Sequence, residues 1–599
     1  MDQHVTTSQS AALHCGSEIP AQPFFFDGLA GYFHPARGST AVLLLSPWGY
    51  EELCSRKSYR MLGEKLAAAG YPCLRFDFPA TGHSSGTAAE QEDTSAWRRA
   101  ARSALAQLKA CSGADRVLVA GQGIGAALAA DLAQSEAVAG LLLLAPVAQG
   151  RAYLRELAAW TAMTRPTFLV SASDGPEGGL MAGGFVLSRA TAEEIKALNL
   201  FKMEPPASIP TLLVDRKDHP GDDKLAEHYT AAGVPLERLA FEGYVDYVSD
   251  PTLSIAPEAT LDAIVGWVGN TFPVAEVSAG CGADLPQTAL EPAPGLREDL
   301  VRFGHESMFF GALTRPKNGT ANTAVILLNS GYDHSIGWAR MNVGFARALA
   351  AEGAAVLRMD LAGIGESRYW PGQQSQVLYS DKQVEDVRAA IDYLTGTLGA
   401  ENIILSGRCS GAYLALLATA EDDRVTATFL INPRRLVWNP AEDVDLAIRE
   451  PIQTLETYGR KALNRETLQR VVSGDINLWS AARKVTTAFA RKSDRVLAPV
   501  LRRLSTHHRL SSVLHKRLGA LKQRGVPVFL LYSENDRGVS ELDTWFGDGR
   551  KRLKDYPNLT IRFLADADHN LTPFQAREAT RAQLLDFVTG EASRFSRDG

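Results

Sequence analysis

Residues 402–419 read NIILSGRCSGAYLALLAT, a short apolar run joined to an alanine- and leucine-rich stretch through Gly407-Arg408-Cys409-Ser410-Gly411. This is the frame of a strained strand-to-helix turn that exposes a nucleophile, with a glycine two places to either side so that the turn packs without Cβ clashes. Cys409 holds the central position; Ser410 does not, because its corresponding neighbours are Arg408 and Ala412. A thiol there can attack a carbonyl carbon and carry the acyl group as a thioester once a base removes its proton. Residues 116–133, RVLVAGQGIGAALAADLA, set Gly121-Gln122-Gly123-Ile124-Gly125 in the same context, with glycine in the nucleophile's place.

The elements that must carry these turns are paired as well. AVLLLSPWGY leads through a helical stretch into KLAAAGYPCLRFDF, and AVILLNSGYD into RALAAEGAAVLRMDL; Ala41 precedes Asp77 by 36 residues, as Ala324 precedes Asp360. Short, unalternated aliphatic runs suit strands covered on both faces, and a helix-period segment between two of them makes a strand, helix, parallel strand unit. Each second strand runs into a glycine-rich turn, DFPATGHSSG from Asp77 and DLAGIGES from Asp360. The expectation is an α/β chain of two tandem domains with doubly wound, mostly parallel sheets, 23–270 and 298–599. A linker rich in Ala, Pro and Gly, 271–297, joins them, and a loose polar tail, 1–22, precedes them.

A length of 599 residues exceeds what one core usually supports, and a net charge of −6 is small for that length, so nothing global points to nucleic acid. The start lacks the basic and apolar regions of a secretory signal, and apolar runs such as 141–148 are too short to span a bilayer. The six cysteines show no CxxC spacing, which argues against a zinc site or a disulfide framework and for a reducing cytoplasm. No cofactor or metal is expected.

With its two elbows, paired strands and paired turns, the chain resembles the α/β-hydrolase superfamily over nearly all of both halves. GYEELCSRKSYRMLGEKL, GGFVLSRATAEEIKALNL and DLAGIGES further resemble hydrolases associated with bacterial exosortase and exopolysaccharide gene clusters, which implies a bacterial source. The superfamily's order of nucleophile, acid and histidine implies Asp536 after VPVFLLYS as the acid, with Glu534 the nearby alternative, and His569 after LTIRFLADAD as the base. Cys409 would then be the nucleophile, His569 its base, and Asp536 the group that fixes the imidazole tautomer. The oxyanion hole would use the backbone N–H groups of Ser410 and Tyr332. His334 and Arg408, close to these turns, are either substrate contacts or surface residues. In the first half Asp218 matches the acid, but FEGYVDYVSDPT contains no histidine, and His219 and His228 come too early. That half is expected to be a pseudo-hydrolase kept for packing, for shaping the active-site mouth or for binding a partner.

Elbow to acid spans 95 residues in the first half and 127 in the second, an excess that in this superfamily forms a helical cap, here 433–524. Between Arg483 and Arg524 lie twelve Lys or Arg and one acid, Asp494. That stretch is either a solvated amphipathic face or a docking surface for an anionic carrier, a phosphate-bearing cofactor or an acidic membrane. The leading expectation is acyl transfer from a small-molecule or carrier-bound ester or thioester, by hydrolysis, transfer or cyclisation. The competing one is a catalytically inactive scaffold or acyl-carrier-binding protein.

Overall fold

The computed structural model describes residues 20–171, 174–251, 254–275, 285, 289–319, 321–373, 378–444 and 505–598. The chain folds into two compact units, one of Met1–Gln376, Ala389–Glu401 and Asp566–Gly599, the other of Val377–Arg388 and Asn402–Ala565. The described residues of the segment 271–297 therefore belong to the first unit.

The first unit opens with β1 (Gln22–Phe26), β2 (Leu29–His34), β3 (Thr40–Leu45), β4 (Cys73–Phe76), β5 (Arg116–Gln122) and β6 (Gly140–Leu144). The hairpin of β7 (Leu180–Ala182) and β8 (Phe185–Leu187) stands apart from β9 (Thr211–Asp215) and β10 (Leu236–Ala240). Eight strands form a sheet in the order β1-β2-β4-β3-β5-β6-β9-β10, antiparallel at β1-β2 and β2-β4 and parallel beyond. The unalternated runs are explained by two cores, one on each face. Leu43, Leu45, Leu141 and Leu143 pack with Ala104 and Leu108 of the helix Ala96–Ser112. Val42, Leu44, Leu142 and Leu144 point the other way, onto Leu62 and Leu66 of Tyr50–Ala68 and Leu261 and Ile264 of Glu258–Thr271. Successive side chains of a strand face opposite sides, so a strand covered twice must be apolar throughout.

The same unit holds β11 (Ala289–Leu290), β12 (Leu296–Phe303), β13 (Phe309–Pro316), β14 (Thr323–Leu328) and β15 (Ala355–Asp360). The order β12-β13-β15-β14 follows that of β1-β2-β4-β3, again with two antiparallel pairs and then a parallel pair registered Ala324↔Ala355. Phe25, Ala30 and Tyr32 share a buried cluster with Leu300, Phe310 and Ala312.

In the second unit β16 (Asn402–Arg408), β17 (Val425–Ile431), β18 (Val528–Ser533) and β19 (Leu559–Leu564) pair in chain order, all parallel. The helix Ser410–Glu421 follows β16, and the helix Thr506–Gln523 precedes β18 and buries Leu514, Leu518 and Leu521. Arg524 donates to the carbonyls of Thr419, Asp422 and Val425 at 2.8, 3.2 and 2.9 Å, which satisfies backbone oxygens where the first of these helices ends. Of the segment 433–524, residues 505–524 thus occupy the place of a crossover helix between two parallel strands. Residues 445–504, with Arg483, Asp494, Arg502 and Arg503, lie outside the described residues.

Candidate active site

β16 ends at Arg408 and a twelve-residue helix begins at Ser410, leaving Cys409 as the whole connection. Its φ of 58° and ψ of −117° place it in a region that non-glycine residues occupy at a cost of roughly 1–3 kcal/mol. The Cys409 N–H donates to the Ile431 carbonyl at 3.0 Å and so pins the turn to the end of β17. A Cβ on Gly407 would stand 2.5 Å from the Gly411 carbonyl carbon, so this flank must be glycine. Cys409 is partly exposed at the start of the helix, where aligned N–H dipoles favour a thiolate. Arg408 and Ser410 on either side are buried.

The corresponding turn of the first half has nearly the same backbone with glycine in place of Cys409: Gly123 has φ 57° and ψ −120°. Its space is taken. A Cβ at 123 would lie 2.7 Å from Glu51 Oε2. Gln122 Nε2 donates to Glu51 Oε1 at 2.8 Å, the Tyr244 hydroxyl to the same oxygen at 3.3 Å, and the Tyr247 hydroxyl to Gln122 Oε1 at 3.1 Å. Burial pushes the Glu51 carboxyl up, opposed by the Gln122 hydrogen bond, the Arg216 charge and Tyr244. Asp218 is exposed. Sequence reading rested on glycine in the nucleophile's place and a missing histidine and overlooked Glu51, whose signal was an acid directly after the turn in WGYEEL. Gly123→Ser in a Cys409→Ala background is expected to give no turnover and to lose about 1–3 kcal/mol of stability, because the new side chain meets Glu51 at a positive φ. An ester assay with a thermal melt checks both, and turnover from this double variant would mean that the first half holds a usable base.

In the second unit Asp536 lies three residues past β18, 8% exposed, and accepts the Gly538 N–H at 2.6 Å, whereas Glu534 is exposed. Asn432 accepts the Ser533 N–H at 2.7 Å and donates to Ser533 Oγ at 3.0 Å, tying the end of β17 to the end of β18. Tyr379, in no sequence motif, is buried, stacks on Trp438 with centroids 4.4 Å apart and meets Tyr413 edge-on at 5.1 Å. Burial drives its hydroxyl pKa well up, and negative charge at Cys409 adds to that, so the phenol belongs to the surroundings of the thiol.

Tyr332, His334 and His569 belong to the first unit. His569 is partly exposed in the turn before the helix Phe574–Asp598, beside Asp568, whose Oδ1 accepts the Thr572 N–H at 2.7 Å. Neither His334 nor Arg408 is a surface residue: each is 5% exposed. His334 Nε2 accepts from Arg56 Nε at 2.9 Å, and Arg56 donates to Asp77 Oδ1 at 2.8 and 2.7 Å. Burial and then the Arg56 charge push the His334 pKa well down, so the ring is a neutral acceptor.

A polar network surrounds it. Arg75 grips Glu366 through two hydrogen bonds of 2.9 and 2.7 Å, and Arg358 pairs with Glu298 at 2.8 Å and lies 3.1 Å from His83. The two glycine-rich turns share one construction. Asp77 Oδ2 accepts the N–H of His83 at 2.8 Å and its carbonyl the Ser84 hydroxyl at 2.6 Å; Asp360 Oδ2 accepts the N–H of Glu366 at 2.9 Å and its carbonyl the Ser367 hydroxyl at 2.6 Å. Sequence reading missed this network, although an arginine inside each apolar strand, CLRF and AVLRMD, was a visible sign of buried pairing.

Among the described residues no group of three or more His, Cys, Asp or Glu could hold a metal ion, and no helix is long and apolar enough to cross a membrane. Residues 40–181 and 320–571, together more than half of the chain, match the model of the family described as serine aminopeptidase, S33. Comparison with curated sequences finds no match. Solved structures similar to part of the chain include an esterase of Pyrococcus furiosus, with 18% identity and a TM-score of 0.30 over 49% of this chain and 90% of that one. Est1E from Butyrivibrio proteoclasticus has 14% identity and a TM-score of 0.29 over 49% of this chain and 99% of its own. A lidless serine hydrolase of Xanthomonas campestris has 12% and 0.28 over 50% and 94%.

Proposed function

Since the chain belongs to the serine aminopeptidase S33 family and has the α/β-hydrolase fold, we propose that it is an acyl-transfer enzyme in which Cys409 stands where the family's name places a serine. The observation that carries this reading is the Cys409 backbone at φ 58° and ψ −117°, alone between a buried strand and a helix N-terminus. His569 takes the thiol proton as Sγ bonds to the carbonyl carbon of an ester or thioester. The C–O or C–S bond then breaks, and His569 returns the proton to the leaving group. Water, or an amine, thiol or hydroxyl acceptor, gives its proton to His569 as it attacks the thioester and frees Cys409. Asp536 orients the imidazole, a role that its burial supports over exposed Glu534. The N–H groups of Ser410 and Tyr332 hold the oxyanion.

A thioester intermediate keeps a reactive carbonyl and a good leaving group, so transfer or ring closure is expected to compete with hydrolysis. Incubation with an acyl thioester is expected to add one acyl mass to the intact protein, and added amine, thiol, sugar or hydroxy-acyl acceptors to speed its loss with formation of the matching product. Free acid as the sole product throughout would leave a plain hydrolase.

The first half is read as a pseudo-hydrolase arising by tandem duplication, a reading supported by its filled elbow and the shared construction around Asp77 and Asp360. The likeness to exosortase- and exopolysaccharide-associated hydrolases fits a bacterial biosynthetic setting. The basic stretch Arg483–Arg524 suits an anionic acyl carrier or an acidic membrane surface. Neutralising Arg502, Arg503 and Arg509 is then expected to slow turnover of a carrier-borne substrate. Added salt should slow the wild type on the same substrate, the Debye length being about 10 Å at 0.1 M. Small neutral esters should respond to neither change, and an equal salt response of both substrate types would speak against docking.

A further inference from the structure

Outside the carboxyl ends of β3 and β4, the first unit contains a cleft of about 510 Å³ that holds none of the residues proposed for catalysis. Its volume is that of a small-molecule site, and crevices at the carboxyl edge of parallel sheets are where such sites form. Much of the wall is apolar, with Trp48, Phe78, Phe185, Val186, Ile336 and Phe345 among its lining. The charges are unevenly matched. Asp77 and Glu52 share Arg56, at 2.7 and 3.4 Å, and burial pushes Glu52 up to about 7. Arg347 pairs with Glu298 at 3.1 Å, Arg581 with Glu578, and exposed Asp174 accepts the Ser171 N–H at 2.6 Å.

Arg340 and Arg577 differ from these. Among the described residues Arg340 donates only to carbonyls, those of Gly82, Gly86 and Ser84 at 2.9, 2.8 and 2.6 Å. Arg577, 8% exposed, likewise donates to the carbonyls of Thr572 and Gly184 at 2.9 and 3.1 Å. Among the described residues neither has a carboxylate at ion-pair distance. Burial pushes Arg340 down to about 9 and Arg577 to about 10, which leaves both cationic at neutral pH. A guanidinium has five donors, so each keeps N–H groups beyond those the carbonyls use. Two shielded cations whose partners are neutral dipoles leave a positive site beside an apolar wall, and a carboxylate or phosphate completes such a site with charge-assisted hydrogen bonds.

We propose that this cleft binds an amphipathic anion, an apolar chain ending in a carboxylate or phosphate, with its head on Arg340 and Arg577 and its chain along the aromatic wall. The proposal does not depend on the acyl-transfer reading.

The test is calorimetric binding of dodecanoate, dodecyl phosphate and dodecanol, below their aggregation limits, to the full-length protein. At least one of the two anions is expected to bind saturably, ten-fold or more tighter than dodecanol; the better anion identifies a free-acid or a phosphorylated ligand. Gly344 lines the cleft from the helix Met341–Ala351, and a Cβ there meets nothing within 4 Å. Gly344→Trp should therefore fold, since glycine is a poor helix former, while filling the cleft and weakening anion binding at least ten-fold. Arg577→Met should weaken the anions and spare dodecanol; if that variant does not fold, the head-group comparison in the wild type and the Gly344→Trp result decide. Equal binding of anion and alcohol, no saturable binding of either anion, or full binding to a folded Gly344→Trp protein would each overturn the proposal.

Discussion

Cys409→Ala is expected to lower turnover of an activated ester by roughly a thousandfold or more while leaving the melting temperature unchanged. The kinetic part follows from the covalent step: without Sγ no acyl-enzyme forms, and losses on removing a nucleophile from such a constellation reach roughly 10⁶-fold because its members act as a unit. The stability part follows from the turn. Cys409 already sits at φ 58° with a Cβ, so alanine inherits the strain without adding to it, and the Cys409 N–H bond to Ile431 at 3.0 Å belongs to the backbone. Cys409→Ser is expected to keep a small fraction of activity, since a hydroxyl leans far more heavily than a thiol on the general base. Steady-state kinetics on an activated ester, with intact-protein mass after acyl loading, provide the measurement. Near-wild-type kcat in Cys409→Ala, or acylation at another residue, would move the chemistry away from this turn.

Glu298→Gln is expected to cost on the order of 3 kcal/mol at pH 7, an effect that fades in acid. Glu298 is fully buried, accepts from Thr314 at 2.8 Å and from Arg347 at 3.1 Å, and forms an ion pair with Arg358 at 2.8 Å. Burial raises its pKa, but the Arg358 and Arg347 charges outweigh that and hold the carboxyl down at about 2, against an ordinary 4.5. A pKa depressed in the folded state means that the unfolded chain binds the proton first. The stabilisation is therefore complete above pH 4.5 and is lost as the pH falls toward about 2. Glutamine keeps the shape and removes the charge, which strands the buried Arg358 guanidinium. Denaturation of both proteins from pH 7 to pH 3 should show their difference narrowing below pH 4.5. A difference that stays constant or widens in acid would mean that Glu298 does not stabilise as a charged partner.

The turn around Cys409 was legible because it is local. A glycine at each flank, an apolar strand before and an alanine-rich helix after are contiguous signals, and the structure at Cys409 and at Gly123 follows them to within a few degrees of one another. The strand pairs were legible for a related reason: a parallel strand covered by helices on both faces must be apolar throughout, so TAVLLL and TAVILL announce themselves, and each lies at the same distance from the aspartate at the end of the next strand run, Asp77 or Asp360. Asp536 was chosen with Glu534 two positions away as the alternative, and which of the two is buried is set by packing that the sequence does not show.

What tertiary structure alone decided are the contacts between residues far apart in sequence. His334 meets Arg56 across 278 positions and Arg75 meets Glu366 across 291; both depend on how strands and turns of the two halves pack, which leaves no mark on either segment alone. The Glu51 carboxylate fills the place beside Gly123 because a helix start and a strand end converge there, and Tyr379 comes to Cys409 from a stretch without any motif. Local backbone geometry is set by steric limits on each residue and its neighbours and can be read from a short window, whereas the neighbours of a side chain depend on the whole packing.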